Sequence, residues 1–156
     1  MDIKIIIIGS ILVILCILPL VFAGRGRKKK EKKLVQSLFD FANRNECSIT
    51  EHEICGEILI GVDESNRCLF FMKQRNQEVI TQLINLNEFQ ICKVKNSSRS
   101  VNNTSVIEKL ELVFIPKDKT KKEVALEFYN SDHSIQIVDE LKSIEKWCNK
   151  INALVG

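Results

Sequence analysis

The chain lacks the short signatures that enzymes carry. It has no G-x-S-x-G elbow, no Gly-rich phosphate loop and no H-E-x-x-H pair, which removes the commonest hydrolase, nucleotide-dependent and zinc-protease readings. Histidine is scarce. His133 follows Asp132, but adjacency in sequence supplies neither the nucleophile nor the oxyanion pocket that an Asp–His pair would serve. No C-x-x-C pair occurs among the six cysteines, so neither a zinc knuckle nor a dithiol redox motif is present. Cys47, Cys55, Cys68, Cys92 and Cys148 stand 8, 13, 24 and 56 positions apart. Cys68, Cys92 and Cys148 sit within apolar patterns, which reads as buried thiols in a reducing compartment rather than a disulfide framework. No enzyme activity, cofactor or metal is expected. Glu51-His52-Glu53 with Cys55 is the one cluster of metal-ligand types. On a strand it would put Glu51 and Glu53 on one face and His52 on the other, as a solvated edge.

A basic face is missing too. Residues 34–156 hold 15 Lys and Arg against 18 Asp and Glu, whereas residues 1–33 hold 8 against 2. The overall charge of +3 therefore comes from the N-terminal segment alone, and the acidic remainder argues against a nucleic-acid partner.

What is present begins at the N-terminus. Ile5 to Gly24 carries no formal charge, and fourteen of the residues from Ile5 to Ala23 are Ile, Leu, Val or Phe. As a helix, twenty residues cover about 30 Å, and their insertion free energy is roughly −4 to −8 kcal/mol. Seven cations follow: Arg25, Arg27, Lys28, Lys29, Lys30, Lys32 and Lys33. This pattern predicts an uncleaved transmembrane anchor over 1–24 and a basic juxtamembrane segment over 25–33. By the positive-inside rule, the N-terminus lies outside and residues 34–156 lie on the cytoplasmic side of the cell membrane. A cleaved secretory signal is the rival, with Val21-Phe22-Ala23 as its site. It would carry its positive charge ahead of the apolar run, where only Lys4 and the terminal amine stand. In a cytoplasmic domain the N-x-S/T triplets beginning at Asn96, Asn102 and Asn103 are merely polar loop residues.

Glu31 to Asn45 reads as a helix with Leu34, Val35, Leu38, Phe39 and Ala42 on one side, giving a linker helix over 34–45. A domain over 46–156 follows, in a β pattern to Tyr129. Candidate strands are Ser48–Glu53, Ile58–Val62, Cys68–Met72, Val79–Leu86, a segment around Cys92 and Val94, Leu110–Ile115 and Val124–Phe128. Asp63-Glu64-Ser65-Asn66, Asn87-Glu88 and Pro116–Thr120 supply the turns, and Asn96 to Ser105 a loop or extended hairpin tip. Leu141, Ile144, Cys148 and Ile151, widened by Trp147 and Leu154, form the stripe of a closing helix, with Ser131-Asp132 and Ser134 as candidate caps. The fold class read from this order is α+β: about seven antiparallel strands, then a helix.

That order resembles the pleckstrin-homology-like fold, in which a bent antiparallel sheet or barrel is closed by a C-terminal helix. The residues carrying the resemblance are Leu59-Ile60-Gly61-Val62-Asp63, Ile84-Asn85-Leu86-Asn87-Glu88 and Trp147, over roughly 47–155. The chain is also similar to uncharacterised bacterial single-pass proteins with such a domain. Phosphoinositide-binding members use Lys and Arg between the first two strands. Here Glu51-His52-Glu53-Ile54-Cys55-Gly56-Glu57 is acidic.

The expected function is a membrane-tethered, cytoplasm-facing binding or scaffold module whose partners are the bilayer and another protein, the latter taken up by strand addition at an open sheet edge. The alternative is a sensor of anionic lipid. Its contacts would be the collar of Arg25, Arg27, Lys28, Lys29, Lys30, Lys32 and Lys33 together with Lys117, Lys119, Lys121 and Lys122 at one hairpin turn, each contributing up to ~1 kcal/mol near a charged surface.

Overall fold

The computed structural model describes residues 26, 28–75, 78–133, 137 and 139–155. Two compact units divide the chain, 1–37 and 38–156. A helix over 28–44 (α1) gives its first ten residues to one unit and 38–44 to the other. In the first unit Lys28, Lys29, Lys30, Lys32 and Lys33 are all exposed on this helix, and the Ser37 hydroxyl donates to the Lys33 carbonyl at 2.9 Å. No helix among the described residues is long and apolar enough to cross a membrane. That corrects the expectation of a transmembrane, single-pass protein of the cell membrane. Five lysines head α1, and α2 (Glu140–Val155) is only 16 residues long with charges along its length. The span expected over 1–24 lies outside the described residues.

The second unit starts at Leu38 and contains all the strands among the described residues. β1 (Glu51–Cys55), β2 (Ile58–Asp63), β3 (Cys68–Arg75) and β4 (Glu78–Asn85) form an antiparallel meander in that order. β5 (Phe89–Val101), β6 (Thr104–Pro116) and β7 (Val124–Asn130) form a second antiparallel sheet. The single bent sheet or barrel expected from the pleckstrin-homology-like resemblance does not form. A 3-10 turn, Leu86–Glu88, carries the chain from β4 into β5, and the two strands share no ladder, so the seven strands fall into sheets of four and three.

Local chemistry explains the turns. Gly56 takes φ +59 in the tight β1–β2 turn, where Cys55 pairs with Ile58. In the β2–β3 turn the buried Asp63 carboxylate accepts from the Asn66 N–H at 2.9 Å, the Asn66 side chain at 2.8 Å and the Ser48 N–H at 2.6 Å. Burial alone would raise its pKa, but these donors hold it below the usual aspartate value. Asn102 and Asn103, both at positive φ, close the β5–β6 hairpin as the two-residue turn such strands prefer. The Asn96–Ser105 stretch is thus an extended hairpin tip.

The first sheet is covered on both sides, which is why Ile58–Asp63 is buried throughout rather than alternating. One face presents Ile58, Ile60, Val62, Leu69, Phe71 and Ile84 to Leu110, Leu112, Phe114, Leu126 and Phe128 of the second sheet. Ile144, Trp147, Ile151 and Val155 of α2 complete that core, with Trp147 fully buried. The other face of the sheet, Leu59, Phe70 and Met72, faces the end of α1, whose Phe41 ring meets Phe70 edge-on at 5.7 Å. Gly61 makes that approach possible: a Cβ there would come within 3.0 Å of Leu38 Cδ2 and 3.3 Å of Ile49 Cγ2.

Candidate functional site

A sheet edge offers a row of unpaired N–H and C=O groups, so the four edges of two sheets are the places where another chain can pair. Three of them are contacted by polar side chains of other elements, two at one backbone residue each and β1 through its carboxylates. At β5 the Asn152 side chain on α2 accepts the Cys92 N–H at 2.8 Å and donates to the Cys92 carbonyl at 2.9 Å, as a neighbouring strand would. At β7 the buried Lys73 ammonium of β3 donates to the Glu127 carbonyl at 3.2 Å and to its carboxylate at 2.8 Å. Glu127 also accepts from Asn130 and lies 3.6 Å from Lys109, which pairs with Glu111 at 2.6 Å. β1 is strapped to α2: Lys150 and Lys146 pair with Glu51 at 2.7 and 3.6 Å, Lys146 with Glu53 at 2.7 Å, and the Trp147 indole N–H donates to Glu53 at 3.1 Å.

β4 differs. Among the described residues its backbone makes no hydrogen bond beyond the ladder with β3. Its side chains alternate across the sheet. Val79, Thr81 and Leu83 lie on the face that carries Phe70, and Ile80, Gln82 and Ile84 on the face that carries Phe71. Three of these apolar side chains remain in solvent, Val79 and Ile80 at 44% exposure and Leu83 at 40%. The second half of the strand opens into a groove of about 430 Å³ between Gln82–Asn85, Glu88, Phe89 and Val124. Gln82 lines it, and its buried Oε1 has no hydrogen-bond partner.

Beside the groove stands the turn joining β6 to β7. It is stapled to Glu88 twice, by the Lys117 N–H on the Glu88 carbonyl at 2.9 Å and by the Lys121 ammonium on the Glu88 carboxylate at 2.8 Å. That ion pair raises the Lys121 pKa. Asp118 is drawn below its ordinary value by the Thr120 hydroxyl and N–H, at 2.7 and 2.9 Å. Lys117, Lys119 and Lys122 are exposed and have no carboxylate partner among the described residues.

The residues singled out from sequence land as follows. Arg25 and Arg27 lie outside the described residues. Lys28, Lys29, Lys30, Lys32 and Lys33 are on α1, and Lys117, Lys119, Lys121 and Lys122 on the β6–β7 turn. Glu51 to Glu57 is not a loop but β1 and its tight turn. Glu51 and Glu53 share a face and are neutralised by α2, while His52 points away and meets the Phe39 ring edge-on at 5.4 Å. Among the described residues no group of His, Cys, Asp or Glu is arranged to hold a metal ion. His133 sits in a turn against the Arg75 guanidinium rather than in a catalytic pairing. Ser131 and Asp132 belong to that same turn and cap no helix, because α2 begins only at Glu140; Ser134 lies outside the described residues.

Cys47, Cys55, Cys68, Cys92 and Cys148 are all free thiols. Burial pushes the Cys47 and Cys55 thiols up to about 11 and raises Cys92 further. A second concavity of about 450 Å³ lies by Ser97, Glu108, Lys109, Asn130 and Asp132, where Glu108 is paired with Arg99 and Lys109 with Glu111.

Asn152 and Lys73 were not picked out by sequence reasoning. Asn152 follows Cys148 by one turn and borders the apolar stripe, and Lys73 directly extends the Cys68–Met72 run. A polar group inside an apolar pattern is the available signal in both cases.

Comparison of the chain with protein-family models, with curated proteins and with solved structures finds no match.

Proposed function

We propose that this protein is a non-enzymatic binding module whose partner is another protein, taken up as an added strand along β4. The observation that carries the reading is the contrast between edges. Asn152 bonds the β5 backbone at Cys92, Lys73 bonds the β7 backbone at Glu127 and α2 pairs with the β1 carboxylates, while among the described residues no side chain of another element bonds to the backbone of β4, whose Val79, Ile80 and Leu83 stand in solvent. Natural proteins blunt such edges with charge, Pro or cover, and Glu78 at its start is the only charged residue on this strand. Strand addition draws affinity from backbone hydrogen bonds and specificity from alternate side chains, and β4 offers both.

Site-specific photocrosslinking tests this. A benzophenone side chain at Val79 or Leu83 of the full chain in its host should give discrete adducts with one protein. The same group at Asn149, exposed on α2, should not. Replacing Ile80 with Lys should abolish the adducts, whereas an adduct pattern indifferent to position would refute the reading.

A further inference from the structure

We infer that the segment added to β4 is an extended peptide with alternating apolar residues and a cluster of carboxylates at the end lying beside the β6–β7 turn; this rests on the reading of β4 as a docking edge. The groove at the end of β4 and the basic turn are one structure, because Glu88 lines the groove and holds the turn through Lys117 and Lys121. All charges of that corner enter the argument. Lys121 is spent on Glu88, Asp118 is spent on Thr120, and Glu123 stands exposed just before β7. Lys117, Lys119 and Lys122 are exposed on the turn that Glu88 ties to the groove, so a carboxylate reaching that turn meets ammonium groups it need not share. Because Asn85 is the end of β4 nearest the turn, antiparallel addition puts the acidic residues at the N-terminal end of the segment. A planar lipid surface offers carboxylates or phosphates to the turn but no strand for the groove, which decides between the two partners.

The test is selection from a random library of short linear peptides on the immobilised full chain, followed by synthesis of the enriched sequences. Affinities are read by fluorescence anisotropy and footprints by amide chemical shifts. The expected result is alternating apolar peptides bearing Asp or Glu at one end, with shifts confined to 78–89 and the β6–β7 turn. The triple variant K117E/K119E/K122E changes only exposed turn residues. It should weaken these peptides by about tenfold, as should a rise in ionic strength from about 0.05 to about 0.5 M. Peptides that shift β4 but carry no acids, or bind the triple variant equally well, overturn this inference and leave β4 standing as a docking edge. Failure of any peptide to shift β4 overturns both. So does binding of the wild-type chain, but not the triple variant, to phosphatidylserine vesicles without β4 involvement, or pairing of β4 with a second copy of the chain.

Discussion

Asn152→Ala isolates the device that closes the β5 edge. The Asn152 amide makes two hydrogen bonds to Cys92, at 2.8 and 2.9 Å, and each contributes about 1 kcal/mol net. The two ends are not equivalent. The Cys92 carbonyl keeps a second donor, the Cys148 thiol at 3.4 Å, whereas among the described residues the Cys92 N–H has the Asn152 side chain as its side-chain acceptor and no second one. Ala also gains about 0.6 kcal/mol of helix propensity over Asn. The balance is a loss of about 1 to 1.5 kcal/mol, which lowers a urea midpoint by about 0.5 to 1 M at ordinary slopes. Amide exchange at Cys92 should accelerate while exchange at Leu112 in the neighbouring strand does not. Asn152→Asp separates the two bonds. Its carboxylate still accepts from the N–H but opposes the carbonyl, so this variant should be the less stable at neutral pH and should recover relative to Ala below about pH 4, where the protonated acid donates again. An Asn152→Ala protein as stable as wild type, with an unchanged Cys92 exchange rate, would refute the account of α2 as the cover of β5.

Gly61→Ala should cost about 1 to 3 kcal/mol in thermal or urea unfolding, because its Cβ would press on Leu38 and Ile49 at 3.0 and 3.3 Å; a neutral result would mean that α1 yields freely. Lys150 holds the Glu51 pKa below its ordinary value, and at Glu53 burial opposes, but does not overcome, Lys146 and Ser143. A carboxyl depressed by folding stabilises above its unfolded pKa and loses that contribution as pH falls through the folded one. The melting temperature should therefore fall below the ordinary carboxylate range, and Glu51→Gln should flatten the slope there. Maleimide labelling of the native chain, read by mass spectrometry, should modify Cys68 well ahead of Cys47, Cys55 and Cys92, whose thiols are buried. Val79→Lys should leave the unfolding free energy within about 0.5 kcal/mol of wild type, measured by urea titration, since the side chain already faces solvent.

Local elements were legible where local chemistry decides them. Alternation from Leu110 to Ile115 and from Val124 to Phe128 marks strands that face a core on one side, and both lie inside β6 and β7. Asp63 to Asn66 announces its turn through a carboxylate that only a turn can satisfy, and the Leu141–Leu154 stripe marks α2. The division into two sheets was not legible, because it depends on whether β4 and β5 pair, and alternation on each strand is the same in either case. The pairing of Glu51 and Glu53 with α2 was equally hidden. Their partners, Lys146 and Lys150, are about a hundred positions away, and an acidic stretch in isolation reads as solvated.

The candidate site escapes sequence reading for the same reason. Val79, Ile80 and Leu83 look like ordinary strand residues, and in a central strand they would be core. What sets them apart is the contrast with the other edges, which polar side chains of distant elements contact: Asn152 on β5, Lys73 on β7 and the two lysines of α2 on the β1 carboxylates. A polar side chain at each closed edge has a defined hydrogen-bond task and therefore a folding role. The exposed apolar groups on β4 have no such task within the fold and leave hydrophobic area in water at about 25 cal/mol per Å². An edge without such contacts and with apolar groups in water lowers the stability of the isolated chain and raises its tendency to pair, which is the physical ground for proposing a partner strand at β4.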